Sequence, residues 1–249
     1  MSEARQEIRV LHVDDEADFA DRTASFLERE NERFSVDTET SARDALECVT
    51  GRAYDCIASD HEMPGMTGLE FLCEVREEHP DLPFILFTGK GSEEVASDAI
   101  SAGVTDYLQK GGTEQCELPA NRITNAVDRY VIERERRQWK WAVETANQGI
   151  AILDADGGFV QMNDAYAEAF DEPPEAVVGT DRREWYPEEA VERFDAVILS
   201  ALEREGTWDG EAAAQRADGT VVDQQLSLST LEDGGQVCVM ELLAERDGG

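Results

Sequence analysis

Apolar positions in the first half of the chain switch repeatedly between two periods. Ile8–Val13 is a short apolar run, after which Phe19, Thr23, Phe26 and Leu27 fall on one helical face. The pair then recurs. Residues 34–38 predict a second strand, and Ser41 caps a helix that turns Ala42, Ala45, Leu46 and Val49 inward. Residues 56–59 predict a third strand, followed by a helix lined by Leu69, Leu72 and Val75. Residues 84–87 predict a fourth, with Val95, Ala99 and Ile100 behind it, and residues 107–109 a fifth. Strands this short and continuously apolar suit a parallel sheet covered on both faces. The expectation is a five-stranded parallel α/β sandwich with right-handed crossovers.

The second half follows another rule. Gly149–Leu153 and Phe159–Met162 flank Asp154-Ala155-Asp156-Gly157-Gly158, a hairpin signal. Helical stretches are expected over residues 164–170 and 187–205. Strands over 208–216, 221–230 and 236–243 close the chain, with turns at Asp218-Gly219 and Asp233-Gly234-Gly235. This predicts a separate α+β domain with a five-stranded antiparallel sheet.

Charge marks the joint between the halves. The chain has 249 residues and a formal net charge of −34, with 22 basic residues of which only Lys90, Lys110 and Lys140 are lysines. Residues 1–117 are net −18 and residues 143–249 net −19, while residues 118–142 are net +3. A basic stretch between two acidic halves reads as a connector. The domain expectation is therefore 6–118, a helical linker over 119–142, and 143–247.

Such acidity opposes direct binding of nucleic acid and of anionic membranes. No apolar run approaches the ~20 residues of a membrane helix, and MSEARQEIRV lacks the apolar stretch of a signal peptide. A cytoplasmic location is expected. Excess Asp and Glu, scarce Lys and retained Arg resemble haloarchaeal proteins, whose molar salt screens self-repulsion. Cys48, Cys56, Cys73, Cys116 and Cys238 are an odd set without metal-ligand spacing.

In a parallel α/β sheet, ligands bind at the carboxyl ends of the strands. There the predicted strands place Asp14, Asp15, Asp60, Thr88 and Lys110. Three clustered carboxylates call for a cation, and Mg²⁺ is a hard ion that suits them. Lys110 and Thr88 would then meet a phosphoryl group. This is equipment for phosphoryl transfer to a carboxylate. Phe87-Thr88-Gly89-Lys90-Gly91 is not a phosphate-binding P-loop, which needs Gly where Phe84 stands and Ser or Thr where Gly91 stands.

The motifs Val10-Leu11-His12-Val13-Asp14-Asp15-Glu16, Asp60-His61-Glu62-Met63-Pro64-Gly65, Phe87-Thr88-Gly89 and Asp106-Tyr107-Leu108-Gln109-Lys110 make residues 6–118 resemble a response-regulator receiver domain. The resemblance implies that Asp60 takes a phosphoryl group from a sensor histidine kinase. Asp14, Asp15, Asp60 and the backbone carbonyl of Glu62 would hold Mg²⁺. Thr88 would move toward the phosphoryl group and Tyr107 would rotate inward as a switch, altering the face of helix four, strand five and helix five. The family's proline after the lysine is replaced by Gly111, whose freedom at φ > 0 still permits a sharp turn. His12 and His61 are expected to be bystanders, His61 by strand alternation.

In the connector, Ile123, Ala126, Val127, Tyr130 and Val131 lie at helical spacing, before a polar run at residues 133–137. Two readings stand: a solvated helix, or a helix that pairs with its copy in a homodimer together with the last domain. Residues 143–247 resemble a PAS domain through Gly149-Ile150-Ala151-Ile152-Leu153-Asp154, Met162-Asn163-Asp164-Ala165-Tyr166, Val178-Gly179, Trp208-Asp209-Gly210-Glu211 and Arg216-Ala217-Asp218-Gly219-Thr220. All three histidines, His12, His61 and His79, lie outside it, which disfavours histidine-ligated haem. An Asn-Cys-Arg flavin-adduct signature is absent too. Three roles stay open for this domain: an apolar small-molecule site, an unoccupied core or a dimerisation surface.

The expected function is a phosphorelay response regulator, not an enzyme, that passes its state through the PAS half to a downstream signalling protein. The alternative is a ligand-sensing or scaffolding module that is never phosphorylated. A third reading, a phosphatase using an aspartyl-phosphate intermediate, is disfavoured, because it needs Asp where Glu62 stands. With charge this high, dilution from molar KCl into dilute buffer should loosen or unfold the protein. Circular dichroism across that dilution checks it, and an unchanged spectrum would contradict the charge argument.

Overall fold

A computed structural model describes residues 7–88, 93–109 and 120–243. By contacts the chain divides into two compact units, Met1–Glu135 and Arg136–Gly249.

The first unit alternates strand and helix: β1 (Ile8–Val13), α1 (Ala17–Glu30), β2 (Phe34–Glu39), α2 (Ala42–Gly51), β3 (Cys56–Asp60), α3 (Gly68–Glu78), β4 (Phe84–Thr88), α4 (Glu93–Ser101), β5 (Asp106–Gln109) and α5 (Ala120–Glu144). The strands form one sheet in the order β2-β1-β3-β4-β5, and every pair is parallel. Strand alternation divides the interior into two cores. Leu11, Val13, Ile57, Phe84 and Leu86 pack with Ala45, Val49, Phe71, Leu72 and Val75 on one face. On the other, Ile8, Val10, Cys56, Ala58, Ile85 and Phe87 pack with Leu27, Ile123 and Val127. The continuously apolar strands follow from this two-sided cover.

Helix starts are fixed locally. Ser41 accepts a hydrogen bond from the Arg43 amide. Thr67 and Glu70 form a reciprocal capping box at α3. One expectation needs correcting. Ile100, read as lying behind β4, is 70% exposed, while Ala99 is completely buried. Adjacent helical residues are about 100° apart, so only one of the two can face the sheet.

The second unit holds β6 (Gly149–Leu153), β7 (Phe159–Met162), α6 (Asp164–Ala169), α7 (Pro174–Val177), a 3-10 turn (Arg182–Trp185), α8 (Glu188–Arg193), a π-helical turn (Phe194–Leu199), α9 (Ser200–Glu205), β8 (Thr207–Gln215), β9 (Val221–Thr230) and β10 (Gln236–Leu242). Its antiparallel sheet runs β7-β6-β10-β9-β8. Val222, Leu226 and Leu228 of β9 face inward with Cys238 and Met240, against Tyr166, Phe170, Phe194 and Ile198. The stretch expected as one helix over 187–205 is interrupted by the π turn, and α7 and the 3-10 turn add helix where none was expected.

Two of the described cysteines lie deep in these cores. Cys56 and Cys238 are buried, Cys48 is partly so and Cys73 is exposed. Burial pushes the Cys238 thiol up to about 12 and raises Cys56 as well, which removes the reactive thiolate at neutral pH. Among these four, iodoacetamide should label Cys73 first, and Cys56 and Cys238 only after unfolding. Peptide mass mapping checks this order.

Candidate functional site

The carboxyl edge of the parallel sheet collects the acidic groups. Asp60 ends β3 and Asp14 directly follows β1. Because Val13 is in register with Ser59, Asp14 lies level with Asp60 across the two strands. Asp14 is 1% and Asp60 4% exposed, whereas Asp15 reaches solvent. Asp14, Asp15 and Asp60 each offer a carboxylate oxygen, and these oxygens all lie within 4.8 Å of one another.

Backbone donors hold the two buried carboxylates. The Glu16 amide donates to Asp14 Oδ1 at 3.0 Å. The His61 amide donates to Asp60 Oδ1 at 2.8 Å and to the Phe87 carbonyl at 2.7 Å. Gly68 explains how α3 starts so close: a Cβ there would overlap the Asp60 carbonyl oxygen and collide with Leu86. Only glycine fits between the helix start and the strand end.

Thr88 closes β4 beside this cluster and is 4% exposed. Its Oγ1 lies 2.8 Å from the Tyr107 hydroxyl. Sequence had assigned these two residues to one switch, and the structure places them in direct hydrogen-bond contact. Glu62 is exposed in the loop before α3. Lys110 and the glycines after it lie outside the described residues. His12 is tucked inside, its Nδ1 3.0 Å from the Ala58 carbonyl and its ring against Phe19 and Phe87.

The donor set fits Mg²⁺. Three hard carboxylate groups at one point repel one another by several kcal/mol in a medium of intermediate dielectric. No imidazole nitrogen or thiolate belongs to the cluster, so it favours an oxygen-seeking cation.

Sequence reasoning missed the clamp on β5. Arg122 Nη1 donates to both carboxylate oxygens of Asp106, at 3.0 and 2.7 Å. Asp106 Oδ1 also accepts from the Tyr107 amide at 2.8 Å. The available signal was Asp106 immediately before Tyr107, but no spacing rule names an arginine sixteen residues on.

The second unit holds a cavity of about 340 Å³ bounded by Tyr186, Phe194, Ile198, Ala212, Val221 and Glu211, among others. In the core of this unit, Tyr166 and Tyr186 are raised in pKa, first by burial. Both phenols therefore stay neutral.

Residues 10–118 match the response regulator receiver domain, and residues 143–246 match the PAS fold. The bacterioopsin transcriptional activator of Halobacterium salinarum is 26% identical over 223 residues, covering 82% of this chain and 33% of that protein. The regulatory protein VanR of Enterococcus faecium is 33% identical over 102 residues, 41% of this chain and 43% of that protein. The chain thus spans less than half the length of these curated relatives. A solved receiver domain protein from Clostridium thermocellum is 28% identical with a TM-score of 0.46, covering 50% of this chain and 98% of its own.

Gly68→Ala should destabilise the first unit by roughly 1–3 kcal/mol through overpacking. Denaturant titration in molar KCl checks it. Stability equal to wild type would mean that α3 does not approach Asp60 as closely as described.

Proposed function

We propose that this chain, in which a response regulator receiver domain is followed by a PAS domain, works as a phosphorylation-controlled signalling protein. One observation carries the reading: three carboxylates converge at the carboxyl edge of the sheet, with Thr88 bonded to Tyr107 beside them.

In this reading Asp60 is the nucleophile. Its carboxylate oxygen bonds to phosphorus as the phosphorus–nitrogen bond of a kinase phosphohistidine breaks, and the electron pair leaves with the imidazole. The His61 amide holds Asp60 Oδ1, which orients the other oxygen for attack. Asp14, Asp15, Asp60 and the Glu62 carbonyl would hold Mg²⁺, whose charge would offset that of the carboxylates and the incoming phosphoryl oxygens. Lys110 would pair with the phosphoryl group.

Thr88 then supplies the readout. Its hydroxyl can donate to a phosphoryl oxygen or share a hydrogen bond with Tyr107, and the position of Tyr107 follows from that choice. The output surface would be the α4–β5–α5 face, where Ile100 stands exposed. Output passes to a downstream signalling protein, and gene control enters by analogy with the transcriptional activator it resembles. The PAS half would serve sensing or interaction, with no histidine to ligate haem. Among the described residues no helix is long and apolar enough to cross a membrane.

Intact mass after incubation with acetyl phosphate and Mg²⁺ in molar KCl tests this. Wild type should gain one phosphoryl group, and the gain should be absent when Mg²⁺ is chelated before the donor is added and absent in Asp60→Asn. Label retained in Asp60→Asn would overturn the assignment, and no label from either acetyl phosphate or a cognate kinase would favour a scaffold.

A further inference from the structure

Gln224 is chemically out of place in the second core. It stands on β9 between Val222 and Leu226, on the strand face that turns inward, and it is completely buried. A glutamine amide brings one acceptor oxygen and two donor hydrogens. Among the described residues neither Nε2 nor Oε1 of Gln224 has a hydrogen-bond partner. A dry, unpaired amide opposes folding, and an apolar side chain of the same size would suit these neighbours better. The residue therefore calls for a partner that the surrounding side chains do not supply.

The amide adjoins the cavity of about 340 Å³ in this unit. Ala212, which lines that cavity, is the register partner of Gln224 on β8. Register partners share one face of a sheet, so the short Ala212 side chain stands beside the amide. Tyr186 lines the cavity as well, and its hydroxyl is close enough for the Gln224 amide to lower its pKa against the larger upward effect of burial. Phe194 and Ile198 supply an apolar wall from the π-helical turn, an irregularity that tends to occur where a helix shapes a site. Exposed Glu189 and Glu211 are the charged residues of the lining, and no lysine, arginine or histidine lines it among the described residues.

Each of these features restricts a ligand. Nε2 needs an acceptor and Oε1 a donor, side by side in one plane, which is what the edge of a lactam offers. Aromatic and aliphatic walls suit a flat ring. Two carboxylates repel an anion. Ligand pockets run from about 300 to 1,000 Å³, and a cavity near the lower limit suits one or two fused rings. We propose that this cavity binds a neutral, flat heterocycle of one or two rings through its lactam edge, and that Gln224 selects it. The site gives a ligand class to the sensing role proposed above for the PAS half. It rests on that role for its purpose alone, since binding is measured without it.

Titration calorimetry of the full chain in molar KCl tests the proposal with three probes. Carbostyril is a two-ring lactam, naphthalene has its shape without the polar edge, and N-methylcarbostyril has the donor blocked. Carbostyril should bind roughly tenfold or more tightly than either of the others. Gln224→Leu should erase that preference. Without any ligand, its melting temperature should equal or exceed that of wild type, because the substitution removes an unpaired amide. Ala212→Leu fills the cavity and keeps the amide, so it should abolish binding of both carbostyril and naphthalene.

No binding of carbostyril, equal binding of the three probes, or a preference that survives Gln224→Leu overturns the proposal. A Gln224→Leu chain that melts below wild type overturns it too, because the amide would then be held by a structural bond. Failure of phosphorylation at Asp60 with carbostyril binding intact would sink the signalling reading and leave the site standing.

Discussion

Electrostatic repulsion among Asp14, Asp15 and Asp60 is the constraint around which the first unit is organised. Carboxylate oxygens held within 4.8 Å of each other oppose folding unless something fixes them there. What fixes them is the sheet. β1 and β3 are central strands with apolar side chains on both faces, so neither can slip without carrying one core into the place of the other. The register that places Val13 opposite Ser59 therefore also determines where the two buried carboxylates end up. Two hydrophobic cores hold an arrangement that the charges alone would scatter.

The same sheet explains why chemistry gathers at one edge. A strand covered on both faces has no exposed surface except at its ends, so polar groups that must meet a ligand belong at residues such as Asp60 and Thr88. The second unit solves a different problem. Its antiparallel sheet alternates buried and half-exposed residues along β9, with Asp223, Gln225 and Ser227 outward and Val222 and Leu226 inward. A sheet with one wet face can meet a partner across its surface, whereas the first sheet must act through its edge and its covering helices.

How much was legible follows from which forces leave a local trace. The five apolar runs of the first half, the Ser41 cap and the Asp154–Gly158 turn all depend on neighbours a few residues away, and all could be read. The carboxylates at strand ends were legible for the same reason: once the strands were placed, so were Asp14 and Asp60. Long-range polar contacts left no such trace. Arg182 reads as a surface residue, yet it is 3% exposed, its Nη1 2.6 Å from Gln236 Oε1 and its guanidinium 4.6 Å from the Phe194 ring centroid. It passes close beneath Gly157, where a Cβ would meet its Nε at 2.9 Å. Nothing local announces a contact between residues 157, 182, 194 and 236. The π turn at Phe194–Leu199 is of this kind too, because the helical period on either side gives no sign of the extra residue.

Helix α5 shows how the two regimes meet. Ile123 and Val127 are buried against the first core, but Ile132, Trp139 and Trp141 all stand exposed, with Trp139 at 73%. A helix is stabilised mainly by burying one face, and isolated stretches shorter than ~12–15 residues are marginal in water. The stretch from Ile132 to Ala142 buries nothing among the described residues, so its helicity is propagated from the packed turns at Ile123 and Val127 and from the hydrogen bond that Asn163 Nδ2 donates to the Val143 carbonyl. Such a segment is helical because both ends are held. Releasing either end removes the support for the middle.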